Sequence, residues 1–167
     1  RAIRRADWKP LLGRSFGRSR VGVAGLGHVG RRVAAVAAVL GSEVAYTDSH
    51  VDVDEYERFP SVEALAAWAD ILTVHLPHDA TTHHVIDASV LEALGPRGVL
   101  VNSARGGLVD EDALIDALRG NAIAAAGLDV FTEEPYRGPL VEFENVVLTC
   151  HMGSYASEIR GVMESEA

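Results

Sequence analysis

Val21-Gly22-Val23-Ala24-Gly25-Leu26-Gly27-His28-Val29-Gly30 is the stretch that decides the fold. A short apolar run leads into Gly25-x-Gly27-x-x-Gly30, and an amphipathic run from Arg31 to Leu40 follows. The order is strand, tight turn, helix. Gly25 allows the turn, Gly27 lets the backbone approach a pyrophosphate, and Gly30 lets the helix lie close to the strand. The helix start, with His28 and Val29, then offers N–H groups and a positive dipole end to phosphates. Glycine turns are common, so the pattern needs support. A second strand, Glu43 to Thr47, ends in Asp48, 18 residues after Gly30. An acid there accepts hydrogen bonds from ribose hydroxyls and repels a 2′-phosphate, which selects NAD over NADP.

The 167 residues make one domain, and with 48% hydrophobic and 23% charged residues the composition is that of a soluble globular protein. A net charge of −9 argues against nucleic-acid and membrane surfaces, which call for basic patches. These residues contain no apolar run of transmembrane length and no signal-peptide pattern. Cys150 is the single cysteine, so an internal disulfide is ruled out and a reducing cytoplasm is the expected location. The chain opens at Arg1, and Arg1 to Trp8 and Ala156 to Ala167 both read as helix. The expectation is a piece of a longer chain: 1–13 ends a linker helix, 14–154 is the nucleotide-binding domain, and 155–167 starts a helix leading onward.

Between these ends the chain alternates. Pro10 and Gly13 mark a connection, and Arg14 to Arg20 reads as a basic, solvated loop. Strand one is expected over 21–25 and helix one over 28–40, closed by Gly41. Val51 to Phe59 reads as an acidic surface connection. Ser61, Asp87 and Asp110 cap helices over 62–69, 88–94 and 111–119. Strands are expected over 71–76, 98–102, 123–130 and 145–149. They are apolar throughout, which predicts a parallel sheet covered on both faces. Right-handed crossovers make it a doubly wound α/β fold of the Rossmann type.

Ligands of such sheets sit at the carboxyl ends of the strands. That rule gathers Gly25 to Gly30, Asp48, His75-Leu76-Pro77, Ala104-Arg105, Asp129 and His151 onto one rim, since each follows a strand. The Arg105 guanidinium is suited to a carboxylate or to a surface salt bridge, and position alone leaves both open. Glu134 and His151 follow the last two strands. A histidine oriented by a carboxylate is a general acid–base pair, yet spacing does not single out His151 among seven histidines. His75, His78, His83 and His84 do not form a metal site, because no Cys or carboxylate completes a tetrahedral set.

The segment Val101-Asn102-Ser103-Ala104-Arg105-Gly106-Gly107-Leu108-Val109-Asp110-Glu111 resembles the D-isomer-specific 2-hydroxyacid dehydrogenase family. Other segments follow the same family pattern in order. They are Gly25 to Gly30, Thr73 to Pro77 with Thr81 and Thr82, Gly127 to Phe131 with Glu134-Pro135, and Leu148 to Ser154. The resemblance runs from about Trp8 to the end. It implies an NAD-dependent oxidoreductase acting on a 2-hydroxy acid or 2-oxo acid. Arg105 would grip the substrate carboxylate, His151 would be the acid–base with Glu134 as its partner, and Asp129 would lie near the nicotinamide carboxamide. It also implies a homodimer formed through this domain. A second domain, absent from these residues, would close over the substrate, so this piece alone is expected to bind NAD and turn over little. The family usually has proline where Cys150 stands, and Cys150 is expected to be a small buried filler.

Glu134 to Leu140, running into His151 to Ala156, is most similar to phosphoglycerate dehydrogenases, which points to serine biosynthesis. Glyoxylate or hydroxypyruvate reduction and lactate-type oxidation stay open. The alternative is a non-enzymatic NAD-sensing protein like the family's transcriptional corepressors, which keep the same Arg, Glu and His. A regulatory nucleotide-binding domain of a transporter ranks last, since it accounts for Gly25 to Asp48 and not for Arg105, Glu134 and His151.

Overall fold

Apolar runs become strands and capped polar runs become helices in the computed structural model, which describes residues 13–156. In chain order these are β1 (Arg20–Ala24), α1 (His28–Val39), β2 (Glu43–Thr47), β3 (Glu57–Arg58), α2 (Val62–Trp68) and β4 (Ile71–Val74). Then come α3 (Ala88–Leu94), β5 (Val99–Asn102), α4 (Glu111–Arg119), β6 (Ala125–Leu128) and β7 (Val146–Leu148). The caps are local chemistry. Ser61, Asp87 and Asp110 each accept the N–H three residues on, from Ala64, Val90 and Ala113, which satisfies a first-turn donor. Past the end of α1, Gly41 turns the chain at φ +92, a conformation open to glycine.

All strands pair in parallel, in the order β3-β2-β1-β4-β5-β6-β7. The winding reverses between β1 and β4, and that switch point is where a doubly wound sheet opens a crevice. Strand alternation divides the core. Val21 and Val23 of β1 face Ala34 and Ala37 of α1 and Tyr46 of β2. Ala24 faces the larger cluster formed with Leu65, Leu72, Leu91, Leu100 and Leu114. Gly22 is required on that side, because a Cβ there would come 2.9 Å from Leu65 Cγ.

Among the described residues Val99, Val101 and Ala125 of β5 and β6 are half-buried and Val147 of β7 is exposed. Three expectations are corrected. The stretch 51–59 is not purely a surface connection, because Glu57 and Arg58 pair with Ala45 and Tyr46 as an edge strand. The stretch 14–20 is not a free solvated loop. Arg14 donates to the Asp70 carboxylate (3.1 Å) and to the Arg97 carbonyl, while Arg20, already in β1, donates its main-chain N–H to the same carboxylate (3.0 Å). These contacts join the starts of β1, β4 and β5. Finally, the strand expected over 123–130 is shorter, Ala125–Leu128. The helices expected over 1–8 and 156–167 lie outside the described residues, apart from Ala156. Among the described residues no helix is long and apolar enough to cross a membrane.

Candidate active site

The turn between β1 and α1 is shaped by three glycines with three different surroundings. Gly25 has φ +93, and a Cβ on it would come 2.8 Å from the His75 carbonyl carbon. A Cβ on Gly30 would collide with the Gly25 carbonyl, so the helix start lies against the turn. Gly27 faces open space, with nothing within 4 Å of an added Cβ. It is also the N-cap of α1 and provides no side-chain cap, so first-turn N–H groups are left for an outside acceptor. Two tight glycines and one open one above a helix N-terminus fit the diphosphate of a dinucleotide.

Asp48 follows β2 and reaches back to this turn. Its carboxylate accepts the N–H groups of Leu26 (2.7 Å), His50 (2.8 Å) and Val51 (2.9 Å). Burial works against its charge, but the amides of His50, Leu26 and Val51 outweigh it and hold the carboxyl below the usual carboxylate range. An anion is thus fixed at the end of β2, where a ribose would lie.

Across the switch point, β4 leads into His75-Leu76-Pro77 and β5 into Ser103-Ala104-Arg105. Together with Val29 of α1 these line a cleft of about 610 Å³. Burial pushes His75 below the ordinary histidine range, and its Nε2 lies 2.9 Å from Thr73 Oγ1. Arg105 is exposed at the cleft edge, and one guanidinium nitrogen donates to the Ala104 carbonyl (2.6 Å). Gly106 lies against the Phe131 main chain, where a Cβ would collide, so the turns after β5 and β6 touch.

The turn after β6 carries Glu134 and the one after β7 carries His151. Glu134 Oε1 accepts the Phe131 N–H (3.1 Å), and Oε2 lies 2.9 Å from His151 Nδ1. The His151 bond first, then the Phe131 amide, hold the Glu134 carboxyl below its ordinary value. His151 has φ +52, an unfavourable conformation for a residue with a Cβ, and its N–H donates to the Asp129 carbonyl (2.8 Å). The Asp129 carboxylate accepts from Thr149 Oγ1 and from the Met152 (3.0 Å) and Gly153 (2.9 Å) amides. Partial burial opposes its charge, and these bonds overcome it. Asp129 therefore acts visibly as a clamp on the segment that bears His151. A mostly apolar hollow of about 740 Å³ opens beside the pair, lined by Tyr136, Val141 and Leu148 among others.

All the rim residues expected from sequence follow strands on the same edge of the sheet. Cys150 is corrected: it is exposed and lines the hollow rather than filling the core. His78 and His83 lie 3.2 Å apart through ring nitrogens and His83 stacks on His84, while among the described residues no set of three or more His, Cys, Asp or Glu is placed to hold a metal. Sequence reasoning missed Asn102 and Thr149 as site residues. A polar residue ending a buried apolar strand was the available signal for Asn102, since a buried amide requires partners.

Comparison with known proteins identifies the family. The family model for the NAD-binding domain of D-isomer specific 2-hydroxyacid dehydrogenases matches residues 1–153. The chain is 44% identical over 166 residues to a 2-ketogluconate reductase of Gluconobacter oxydans (strain 621H), covering 96% of this chain and 54% of the relative. It is 43% identical over 148 residues to a D-3-phosphoglycerate dehydrogenase of Mycobacterium leprae (strain TN), covering 86% and 28%. The crystal structure of an NADPH-dependent glyoxylate/hydroxypyruvate reductase from Sinorhizobium meliloti, in complex with NADP and malonate, superposes with a TM-score of 0.92 at 37% identity, covering 98% of this chain and 52% of that one. The chain spans about half the length of the relatives it matches, or less.

Proposed function

Because the chain belongs to the D-isomer specific 2-hydroxyacid dehydrogenase family, as its NAD-binding domain, we propose that the protein interconverts a D-2-hydroxy acid and its 2-oxo acid. The observation that carries the reading is the Glu134–His151 pair on the same strand-end rim as Arg105 and the glycine turn. The cofactor we assign is NAD, held by the Gly25–Gly30 turn, by Asp48 at a ribose and by the cleft at His75, Leu76, Pro77 and Ala104. Bound there, it supplies or accepts the hydride at substrate C2.

The chain's own residues do the rest. Arg105 offers a planar fork of donors to the substrate carboxylate. Glu134 engages His151 at Nδ1, which leaves Nε2 for the substrate oxygen. In reduction, protonated His151 gives its Nε2 proton to the C2 oxygen as hydride arrives at C2. In oxidation, neutral His151 takes that proton back as hydride leaves. Glu134, held anionic, stabilises the imidazolium and fixes the ring. Asp129 keeps the 149–153 segment in register, and on the family resemblance we assign it a place near the carboxamide of the cofactor.

For substrate we put small 2-oxo acids of the glyoxylate and hydroxypyruvate kind first. Among the described residues Arg105 is the one guanidinium lining the cleft, and a phosphate would need further cations beyond them. Phosphoglycerate, and with it serine biosynthesis, is the second reading, supported by the similarity over Glu134 to Ala156 and to the mycobacterial dehydrogenase. We also propose a cytoplasmic homodimer, supported by the outward apolar side chains Val36, Val39 and Leu40 at the end of α1.

The test uses the complete protein. NADH oxidation is followed with glyoxylate, hydroxypyruvate, phosphohydroxypyruvate, pyruvate, 2-ketogluconate and a branched-chain 2-oxo acid. One acid is strongly preferred, Arg105→Ala raises its KM about 10–100-fold, and His151→Ala lowers kcat about 10²–10⁴-fold. NADH binding without turnover of any acid overturns the enzyme reading and favours an NAD-sensing protein.

A further inference from the structure

Asn102 ends β5 and is 1% exposed, the only carboxamide among the buried polar side chains described. Burying an amide is costly unless its donors and acceptor are satisfied. Both of its side-chain bonds go to one place, the turn that carries Arg105. Nδ2 donates to the Arg105 carbonyl (2.9 Å), and Oδ1 accepts the Ala104 N–H (3.1 Å). The carboxamide thus spans the turn from within. On its outer side Ser103 and Arg105 are exposed, and the Arg105 guanidinium bonds back to the Ala104 carbonyl of the same turn. We propose that Asn102 is a positioning residue for the carboxylate grip: it presets the 103–105 turn so that the Arg105 fork is aimed at the cleft before substrate arrives.

The inference rests on reading Arg105 as the grip. It separates two branches of the site. The Asn102 main-chain carbonyl accepts the Asp129 N–H (3.0 Å), and Asp129 holds the segment that bears His151. That branch runs through main chain and survives replacement of the Asn102 side chain. Substitution therefore weakens what Arg105 does and spares what His151 does.

The test compares wild type, Asn102→Ala and Asn102→Asp in the complete protein. In Asn102→Ala, KM for the preferred 2-oxo acid rises about tenfold, while kcat and its pH profile stay within about twofold. Asn102→Asp keeps the acceptor for Ala104 but turns a carboxylate oxygen toward the Arg105 carbonyl. Its KM is raised at about pH 8 and returns toward wild type at about pH 5, where a buried carboxyl regains a proton and can donate again. An unchanged KM in Asn102→Ala overturns the proposal. So does a rise in KM matched by an equal fall in kcat, with no recovery of Asn102→Asp at low pH. If Asn102→Ala does not fold, the pH series of Asn102→Asp decides. If wild type turns over no acid, the function reading fails separately. Hydrogen exchange then tests positioning: faster exchange at Ala104 in Asn102→Ala, with Met152 and Gly153 unchanged, supports it, and protection at Ala104 equal to wild type in Asn102→Ala overturns it.

Discussion

Asp48 serves two purposes with one carboxylate. It ties the glycine turn to the end of β2 through Leu26, and it presents a fixed negative charge where a ribose would lie. Removing the charge removes the repulsion of a 2′-phosphate. Asp48→Ser is expected to shift the ratio of NADPH to NADH affinity about tenfold toward NADPH, read by fluorescence titration, whereas an unchanged ratio means that Asp48 does not select the cofactor. The motif made this residue legible, since glycine spacing and a strand-end acid share a mechanism. Arg105, Glu134 and His151 were legible through their resemblance to a family, not through spacing. The bonds of Asp129 to Thr149, Met152 and Gly153 reach 20 to 24 positions along the chain, and no local pattern announces them.

At the level of elements, local chemistry was readable and long-range closure was not. Ser61, Asp87 and Asp110 cap their helices as their sequence contexts require. The two-residue β3 is too short for a hydrophobic period to mark it, and the pairing of Arg14 with Asp70 spans 56 positions. Glycines divide in the same way. Gly106 is demanded by contact between two turns, and Gly27 by nothing in the chain itself. Gly106→Ala is expected to cost about 1–3 kcal/mol in denaturant unfolding. Gly27→Ala should leave stability within about 0.5 kcal/mol of wild type and still weaken NADH binding, because its methyl fills the cradle. Loss of stability at Gly27, or none at Gly106, would contradict this assignment.

The whole molecule works because one topological fact gathers distant residues. Winding outward in both directions from β1 and β4 puts every strand end on one rim. The dinucleotide turn and Asp48 come from one half of the sheet, and Arg105, Glu134 and His151 from the other. The measurement that tests the central claim most directly is isotopic. The complete protein is given its preferred 2-oxo acid and NADH carrying deuterium at both C4 positions. The product is then examined by mass spectrometry and chiral chromatography. The account predicts one deuterium at C2 and, for any acid other than glyoxylate (whose product is chiral only through the label), the D configuration. A product with solvent hydrogen at C2, or with the L configuration, would contradict it.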